Sequence, residues 1–292
     1  MSKRLGKTAK IKLLTPINYY GSKNQLLPKI LPLIPEHTVY VEPFFGGGAL
    51  YFAKEQVHIE AINDINGEVI NFYRAAKKEF QSLKLEIDCT LFSEEQHADA
   101  SDIYNNPADK TTVLRAWALF VLSQQSFLNI IDNSWKFSHD RNLAQTFHNK
   151  KVMFDERYLK RFERTQIFKR DANRVLINMD CPQAFHFIDP PYFNANMGHY
   201  DGYTEQNMKE LLETCQTLVG KFLLTTFPSA ILKEFTERNK WHTIEIKMFS
   251  SAKIGNALKG EAAMKTEVFT MNYVPTPEQI LAMGLKEPHM DA

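Results

Sequence analysis

Short apolar runs and helical apolar stripes alternate along this chain, which is typical of an α/β protein. Buried strands are predicted at residues 37–41, 57–62, 166–169, 184–188 and 222–226, and two closing strands at 241–249 and 266–274. Apolar residues at helical spacing predict helices over 67–83 and about 110–125, and Thr204 and Ser229 are suited to cap two more. Together these elements predict a mostly parallel sheet with helices on both faces.

A middle block interrupts this alternation. Residues 85–164 contain one strong helix and are otherwise rich in Asn, Ser and aromatic residues, with little periodicity. We therefore predict an inserted, mainly helical domain over 85–164. It would interrupt a discontinuous α/β domain formed by 10–84 and 165–276, and residues 277–292 would form a C-terminal tail.

Composition and charge narrow the class of protein. The chain has 292 residues, is 44% hydrophobic and 24% charged, and has a net charge of only +1, which excludes a disordered or uniformly polybasic protein. Residues 134–174 are nevertheless basic, with eleven Lys or Arg against five acids. The three cysteines form no CxxC pair, so neither a metal site nor a disulfide framework is indicated. Without an apolar run of membrane-spanning length or a signal peptide, we expect a soluble, cytoplasmic protein.

A glycine-rich loop follows the first predicted strand. It reads Val41-Glu-Pro-Phe-Phe-Gly-Gly-Gly-Ala-Leu50 and contains Phe44, Gly46 and Gly48. Glycines after a buried strand let the backbone approach a ligand closely, although a simple strand-to-helix turn would also explain them. The spacing is not GxGxxG, so the dinucleotide fingerprint is absent.

Acidic residues end two other predicted strands. Asp64 follows the second strand, where a carboxylate could accept both hydroxyls of a ribose; capping the next helix is the structural alternative. Asp189 follows the strand at 184–188 and opens the sequence Asp189-Pro190-Pro191-Tyr192. The prolines make this loop rigid. Asp189 and the Pro190 carbonyl could accept both hydrogens of a planar amino group, and Tyr192 could stack on the ring that bears it.

Near the N-terminus, Asn18-Tyr19-Tyr20-Gly21-Ser22-Lys23 offers a lysine after a glycine turn. Lys23 could meet a ligand carboxylate and Tyr19 could pack on a cofactor. A solvated lysine beside core tyrosines is the structural alternative.

Together these segments resemble the D12-class, Dam-like adenine-N6 DNA methyltransferases. Tyr19 to Lys23 is similar to the family's N-terminal cofactor motif, Phe44-x-Gly46-x-Gly48 to its FxGxG loop, and Asp189 to Tyr192 to its catalytic DPPY. Asp64 matches the family's acidic second motif, and Asp171 lies where the family has an acid that contacts the cofactor adenine. Residues 266–273 resemble its closing strand. The resemblance spans about 16–75 and 165–274, with FxGxG before the insert and DPPY after it.

The chain departs from the family pattern in three places. Tyr19 stands where the family often has Trp, and Ala172 stands where an aromatic residue is common. Residues 126–137 lack the FN-P-G stretch of members that read GATC. GATC specificity is therefore not expected to carry over.

The resemblance implies a Rossmann-like, AdoMet-dependent methyltransferase sheet with an inserted, mainly helical DNA-recognition domain. It implies S-adenosyl-L-methionine as cofactor and double-stranded DNA as partner, with methyl transfer to N6 of a flipped-out adenine. Lys23, Gly46, Gly48 and Asp64 would hold the cofactor. A cognate restriction enzyme, a host marking role and phage self-protection all stay open as contexts.

The insert offers candidates for contacts to DNA, since its basic block could meet phosphates and its amides could meet base edges. Phe193 and Phe227 are further candidates for the wall of the adenine pocket. The residues singled out for DNA are Gln124, Asn129, Lys136, Arg141 and Lys150.

Other classes of protein compete with this interpretation. An N4-cytosine DNA methyltransferase acts on the same kind of exocyclic amine, although Asp at 189 resembles the adenine pattern more than the Ser common in cytosine enzymes. An N5-glutamine protein methyltransferase would usually show Asn there and lack the basic insert. A non-catalytic AdoMet- or DNA-binding protein has no need for an intact Asp-Pro-Pro-Tyr. A dehydrogenase is disfavoured by the missing GxGxxG.

Overall fold

Seven strands form one sheet, and helices connect β1 through β6 along the chain. The structure is a computed structural model that describes residues 13–131, 133–193, 202–249 and 264–284. Its strands are β1 (Val39–Glu42), β2 (Ile59–Asn63), β3 (Thr165–Phe168), β4 (Ala184–Ile188), β5 (Lys221–Thr226), β6 (His242–Phe249) and β7 (Met264–Met271). Its helices are α1 (Leu27–Ile30), α2 (Ala49–Ala53), α3 (Gly67–Lys78), α4 (Phe80–Cys89), α5 (Glu94–Asn105), α6 (Thr112–Gln125), α7 (Leu143–Met153), α8 (Arg157–Phe162), α9 (Ala172–Met179), α10 (Glu205–Thr217), α11 (Ala230–Asn239) and α12 (Pro277–Ala282).

The strand order is β3-β2-β1-β4-β5-β7-β6. The first five strands in this order are parallel to one another, and β7 runs antiparallel to both of its neighbours. The predicted mostly parallel α/β sheet is confirmed. After β1 the chain builds outward through β2 and β3, and then returns to place β4 on the other side of β1. The carboxyl ends of β1 and β4 therefore border the switch point where ligands bind in such sheets.

Each face of the sheet buries its own set of side chains. Every residue of β4 is buried, and alternate residues point to opposite faces. Phe185 and Phe187 join a large core that also contains Phe72 of α3 and Phe120 of α6. Ile188 joins a smaller core formed with residues of α9, α10 and α11. The prediction of helices on both faces is confirmed.

The helical insert shares the larger core with the sheet. Phe72 of α3 stacks with Phe120 of α6 at a ring-centroid distance of 6.5 Å, and Phe80 of α4 packs on Phe154 at 5.3 Å. The predicted domain boundary between residues 84 and 85 falls inside α4, so the structure shows no break there. The other predicted boundary, between 164 and 165, coincides with the start of β3.

Two local predictions differ from the structure. The helix predicted over 67–83 is broken at Glu79, whose φ of −129° and ψ of 33° are not helical, and a second helix begins at Phe80 because that side chain turns into the core. The predicted tail begins with α12, which is capped by Thr276 and buries Ile280 and Met283. Its first part is therefore packed on the fold.

A buried ion cluster joins β2 to the end of the insert. Glu60 is fully buried and binds Arg161 of α8, and Lys54 Nζ lies 2.5 Å from the Glu60 carboxylate. The Arg161 guanidinium also lies over the Tyr51 ring. Burial alone would raise the pKa of Glu60, but the two cations lower it below its usual value. Breaking such a buried pair typically costs about 3–5 kcal/mol, so these residues anchor α8 to the sheet.

The described ranges contain neither a membrane-spanning helix nor a group of metal-ligating side chains. No helix in 13–131, 133–193, 202–249 or 264–284 is long and apolar enough to cross a bilayer. In the same ranges no three His, Cys, Asp or Glu side chains are grouped so that they could hold a metal ion.

Candidate active site

A cavity of about 970 Å³ opens at the carboxyl ends of β1 and β4. Its volume is at the upper end of the range for small-molecule sites. It is lined by all the residues predicted to be catalytic or to bind a cofactor: Tyr19, Lys23, Phe44, Gly46, Gly48, Asp64, Asp171, Asp189, Pro190, Pro191 and Tyr192. The structure thus brings together at one edge five segments that are separate in the sequence.

The glycine loop after β1 needs its glycines for both conformation and space. Gly46 has φ +46° and Gly48 has φ +66°, left-handed values that favour glycine. A Cβ built on Gly46 would lie 2.7 Å from Tyr19 Cδ1, which is closer than carbon atoms pack. The backbone of the loop therefore lies directly against the Tyr19 ring.

Asp64 holds the glycine loop from the end of β2. Its Oδ2 accepts a hydrogen bond from Gly46 N at 2.8 Å, and its Oδ1 accepts one from Asn66 N at 2.9 Å. Burial raises the pKa of Asp64 to about 6, although these backbone donors oppose the shift. The helix cap is Asn66, which accepts from Glu68 N, so the alternative of Asp64 as cap is wrong.

Asp189 is fixed through one of its two oxygens. Its Oδ1 accepts from Thr225 Oγ1 at 2.7 Å and from Lys23 Nζ at 2.8 Å, and the Tyr192 hydroxyl lies 3.3 Å away. Among the described residues, every hydrogen bond to Asp189 is made to Oδ1. Its Oδ2 is therefore the atom left to bind a ligand.

Lys23 contacts a different group from the one expected. Its side chain is 5% exposed, and its Nζ donates to Gly21 O at 2.9 Å as well as to Asp189. An ammonium group has three donors, so one remains for the ligand carboxylate that was predicted. Lys23 thus lies at the junction between the predicted cofactor residues and the predicted catalytic residues.

Sequence analysis missed three polar residues of the cavity region. Thr225 and Glu267 contact Asp189 and Tyr192 from β5 and β7. Glu42 ends β1, is 2% exposed and accepts a 2.7 Å hydrogen bond from the Tyr40 hydroxyl. Burial raises the pKa of Glu42 to about 8. Only Glu42 had a signal in the sequence, as an acid directly before the glycine loop.

The far end of the cavity has unsatisfied polar atoms. Asp171 is exposed at the rim, and its Oδ1 caps α9 by accepting from Arg174 N. Asn173 Oδ1 and the Tyr203 hydroxyl are buried without a hydrogen-bond partner in the described part of the chain. Both residues line the cavity, so a ligand could satisfy them.

Three of the residues predicted to bind DNA form a cluster of positive charge. Burial, together with the nearby charges of Arg141 and Lys150, lowers the pKa of Lys136 to about 8. Lys136 Nζ also donates to Asn129 Oδ1 at 2.8 Å. Arg141 is exposed, whereas Lys150 is partly buried and reaches toward the Thr15 carbonyl.

The structure does not support Gln124 as a residue that reads bases. Gln124 is 5% exposed, accepts from Asn18 Nδ2 at 2.8 Å and donates to the Pro16 carbonyl. Every residue of α6 from Ala116 to Gln125 is buried. The amide therefore joins the insert to the N-terminal segment within the protein interior.

A short hairpin after α6 lies at the mouth of the cavity. Ser126 and Trp135 form its bridge, and Leu128 and Asn129 have left-handed φ values of 57° and 58°. Phe127 and Leu128 are each 54% exposed, and Leu128 and Asn129 line the cavity. This hairpin brings exposed apolar side chains next to the site, which the sequence did not indicate.

The chain is similar in sequence to known DNA methyltransferases. Residues 19–248 match the family model described as D12 class N6 adenine-specific DNA methyltransferase. Type II methyltransferase M1.LlaDCHI of Lactococcus lactis subsp. cremoris is 38% identical over 291 residues, covering 90% of this chain and 97% of the relative. Type II methyltransferase M.MjaIII of Methanocaldococcus jannaschii is 26% identical over 218 residues, covering 66% and 74%. The DNA N-6-adenine-methyltransferase of Escherichia phage P1 is 38% identical over 63 residues, covering 22% and 8%.

Proposed function

The chain belongs to the D12 class of N6 adenine-specific DNA methyltransferases, and we propose that its cavity holds S-adenosyl-L-methionine beside a flipped-out adenine. The reaction of the family is methyl transfer from that cofactor to adenine N6 in DNA. Membership in this class argues against the three alternatives from the sequence: an N4-cytosine DNA methyltransferase, an N5-glutamine protein methyltransferase and a non-catalytic binding protein. The observation that carries the assignment of residues is Asp189, whose Oδ1 is held by Thr225 and Lys23 while its Oδ2 has no hydrogen-bond partner among the described residues.

The residues of the cavity fit the cofactor. Lys23 offers a cation for its carboxylate, and Gly46 and Gly48 line the cavity with backbone atoms alone. Asp64 offers acceptors for its ribose, because each carboxylate oxygen has a second lone pair. The unpartnered Asn173 and Tyr203 atoms are suited to a purine. Tyr19, Phe44 and Asp171 complete this part of the wall.

To catalyse this reaction, the protein has to activate adenine N6, which is a poor nucleophile. Bound S-adenosyl-L-methionine supplies an electrophilic methyl group. The lone pair of adenine N6 is delocalised into the ring, and Asp189 Oδ2 and the Pro190 carbonyl would accept its two hydrogens and localise it. Pro190 and Pro191 keep the loop rigid, and Tyr192 would stack on the base. Positioning and electrostatics then provide the rate enhancement without a covalent enzyme intermediate.

The insert supplies the groups that would hold DNA over this site. Adenine N6 cannot reach Asp189 from inside a duplex, so the base must leave the stack. The cluster of Lys136, Arg141 and Lys150 would contact phosphates, which would also relieve the mutual repulsion of these side chains. Asn129 lies at the rim of the cavity, where it could contact a base edge.

The relatives support a biological context. Two of them carry type II methyltransferase names, which favours a cognate restriction enzyme as the partner activity of this chain. In that context methylation would protect the DNA of the cell that makes both enzymes.

The test is transfer of labelled methyl groups from S-adenosyl-L-methionine to unmethylated plasmid DNA, followed by mass analysis of the digested nucleosides. We expect N6-methyladenine from the wild-type protein and at least a thousandfold less from Asp189→Ala. Asp109→Ala, which changes an exposed surface carboxylate, is the matched control and should retain full activity.

Two results would contradict the proposal. N4-methylcytosine as the product would move the substrate to another base. Full activity of Asp189→Ala, with wild-type cofactor affinity, would remove Asp189 from the catalytic loop. If N6-methyladenine forms as expected, sequencing of the methylated plasmid would define the recognition site.

A further inference from the structure

Glu267 lies at the same edge of the sheet as the catalytic loop, although it comes 75 residues later in the chain. Strand β7 runs antiparallel to β5, so the beginning of β7 lies at the carboxyl ends of the parallel strands. Glu267 is partly buried there and pairs with Ile246 of β6. Its backbone is thus held in a ladder, and its side chain reaches the cavity wall.

The Glu267 carboxylate accepts the hydroxyl of Tyr192. Tyr192 Oη lies 2.8 Å from Glu267 Oε2 and 3.3 Å from Asp189 Oδ1. Burial raises the pKa of Tyr192 well above its usual range, and the two carboxylates raise it further, so the hydroxyl keeps its proton and acts as a donor. Of its two acceptors, Glu267 is the nearer.

The rest of the Tyr192 ring is also held. Phe227 packs edge-on against it at a centroid distance of 4.4 Å, and Lys23 Nζ lies 5.0 Å from its centroid. Within the described ranges, the shortest hydrogen bond that holds the ring is therefore the 2.8 Å contact from its hydroxyl to Glu267. That contact decides whether the phenol points to β7 or toward the catalytic carboxylate.

We propose that Glu267 is a positioning residue that binds the Tyr192 hydroxyl and keeps it from competing for Asp189. This inference rests on the proposed function of Asp189 and Tyr192. Without Glu267, the hydroxyl would turn to its remaining acceptor, Asp189 Oδ1, which already binds Lys23 and Thr225. A further donor would weaken the carboxylate as an acceptor and tilt the ring on which adenine stacks. Displacements of about 1 Å in a catalytic site can cost a hundredfold in rate.

The proposal makes an unusual prediction for paired variants. Glu267→Ala should lower the single-turnover rate of methyl transfer at least tenfold, with cofactor affinity unchanged. Tyr192→Phe removes the hydroxyl and should be impaired less than Glu267→Ala. The double variant should be as fast as Tyr192→Phe alone, because the competing hydroxyl is gone. Residues that act through one contact give such non-additive cycles.

The experiment measures single-turnover methylation of unmethylated plasmid DNA by the full chain, and calorimetry gives the affinity for S-adenosyl-L-methionine. Glu267→Gln keeps an acceptor for the hydroxyl and should stay within threefold of wild type, which also keeps the proposal testable should the alanine variant fold poorly. Glu245→Ala, which removes an exposed glutamate of β6, is the control and should not change the rate.

The possible outcomes separate this inference from the proposed function. An inactive wild-type protein would overturn both. An active wild type with an unchanged Glu267→Ala rate would overturn this inference alone. A double variant slower than either single variant would also overturn it, because Glu267 would then act independently of the Tyr192 hydroxyl.

Discussion

The fit between Gly46 and Tyr19 makes a sharp prediction for cofactor binding. In Gly46→Ala, the new Cβ would lie 2.7 Å from Tyr19 Cδ1, so the ring must move by about 0.7 Å to reach ordinary contact distance. The left-handed backbone adds about 1–2 kcal/mol of strain for any residue with a Cβ. We expect the dissociation constant for S-adenosyl-L-methionine to rise at least tenfold, because Tyr19 and Gly46 form one wall of the site that we propose for it.

Gly284→Ala is the matched control for this variant. Gly284 has a similarly left-handed φ of +72°, but a Cβ there meets no atom within 4 Å. Gly284→Ala should lower the free energy of unfolding by about 1–2 kcal/mol in urea titrations and Gly46→Ala by at least as much, but only Gly46→Ala should weaken cofactor binding in calorimetry. Equal cofactor affinity in Gly46→Ala and Gly284→Ala would refute the assignment of the glycine loop and Tyr19 to the cofactor.

Three further predictions concern buried polar groups. Burial raises the pKa of Glu42 to about 8, so the folded state binds this proton more tightly than the unfolded chain, and stability present below pH 4.5 is lost as the pH rises through 8. Between pH 5 and pH 9, the wild-type protein should therefore lose up to about 4 kcal/mol of its free energy of unfolding from this group. Glu42→Gln should not show this loss in urea unfolding at the two pH values. Because the pKa of Asp64 is about 6, calorimetry should show cofactor affinity falling as the pH drops below 6, and Asp64→Asn should be weak and insensitive to pH over this range. Gln124→Ala should cost about 1–3 kcal/mol of stability, measured by urea unfolding, and leave the methylated sequence unchanged in sequencing.

The site residues that could be predicted from the sequence are those that directly follow parallel strands. Glycine-rich, acidic and proline-rich segments came directly after apolar runs, and parallel strands bring such ends to one edge. For this reason Gly46, Asp64 and Asp189 were expected in one cavity, and the structure places them there. The pairing of Lys23 with Asp189 was not expected, because it depends on how the N-terminal segment folds over that edge.

Other features depended on tertiary structure. Glu267 reaches Tyr192 only because β7 inserts antiparallel between β5 and β6, an order that no local pattern indicates. Gln124 was assigned to DNA because an amide can pair with a base edge, yet every residue of α6 from Ala116 to Gln125 is buried. The break at Glu79 likewise follows from the packing of Phe80 on Phe154 rather than from any helix-breaking residue.

The aromatic core shared by α3 and α6 also constrains how this enzyme can change during evolution. An insert with a core of its own could be exchanged for another to give a new DNA specificity. Here, a chimera that replaced residues 85–164 would uncover the Phe72 face of α3 and remove Arg161 from the buried Glu60. New specificity is therefore expected to arise by point changes in the hairpin after α6 and in the cluster of Lys136, Arg141 and Lys150, while the helices beneath them stay fixed.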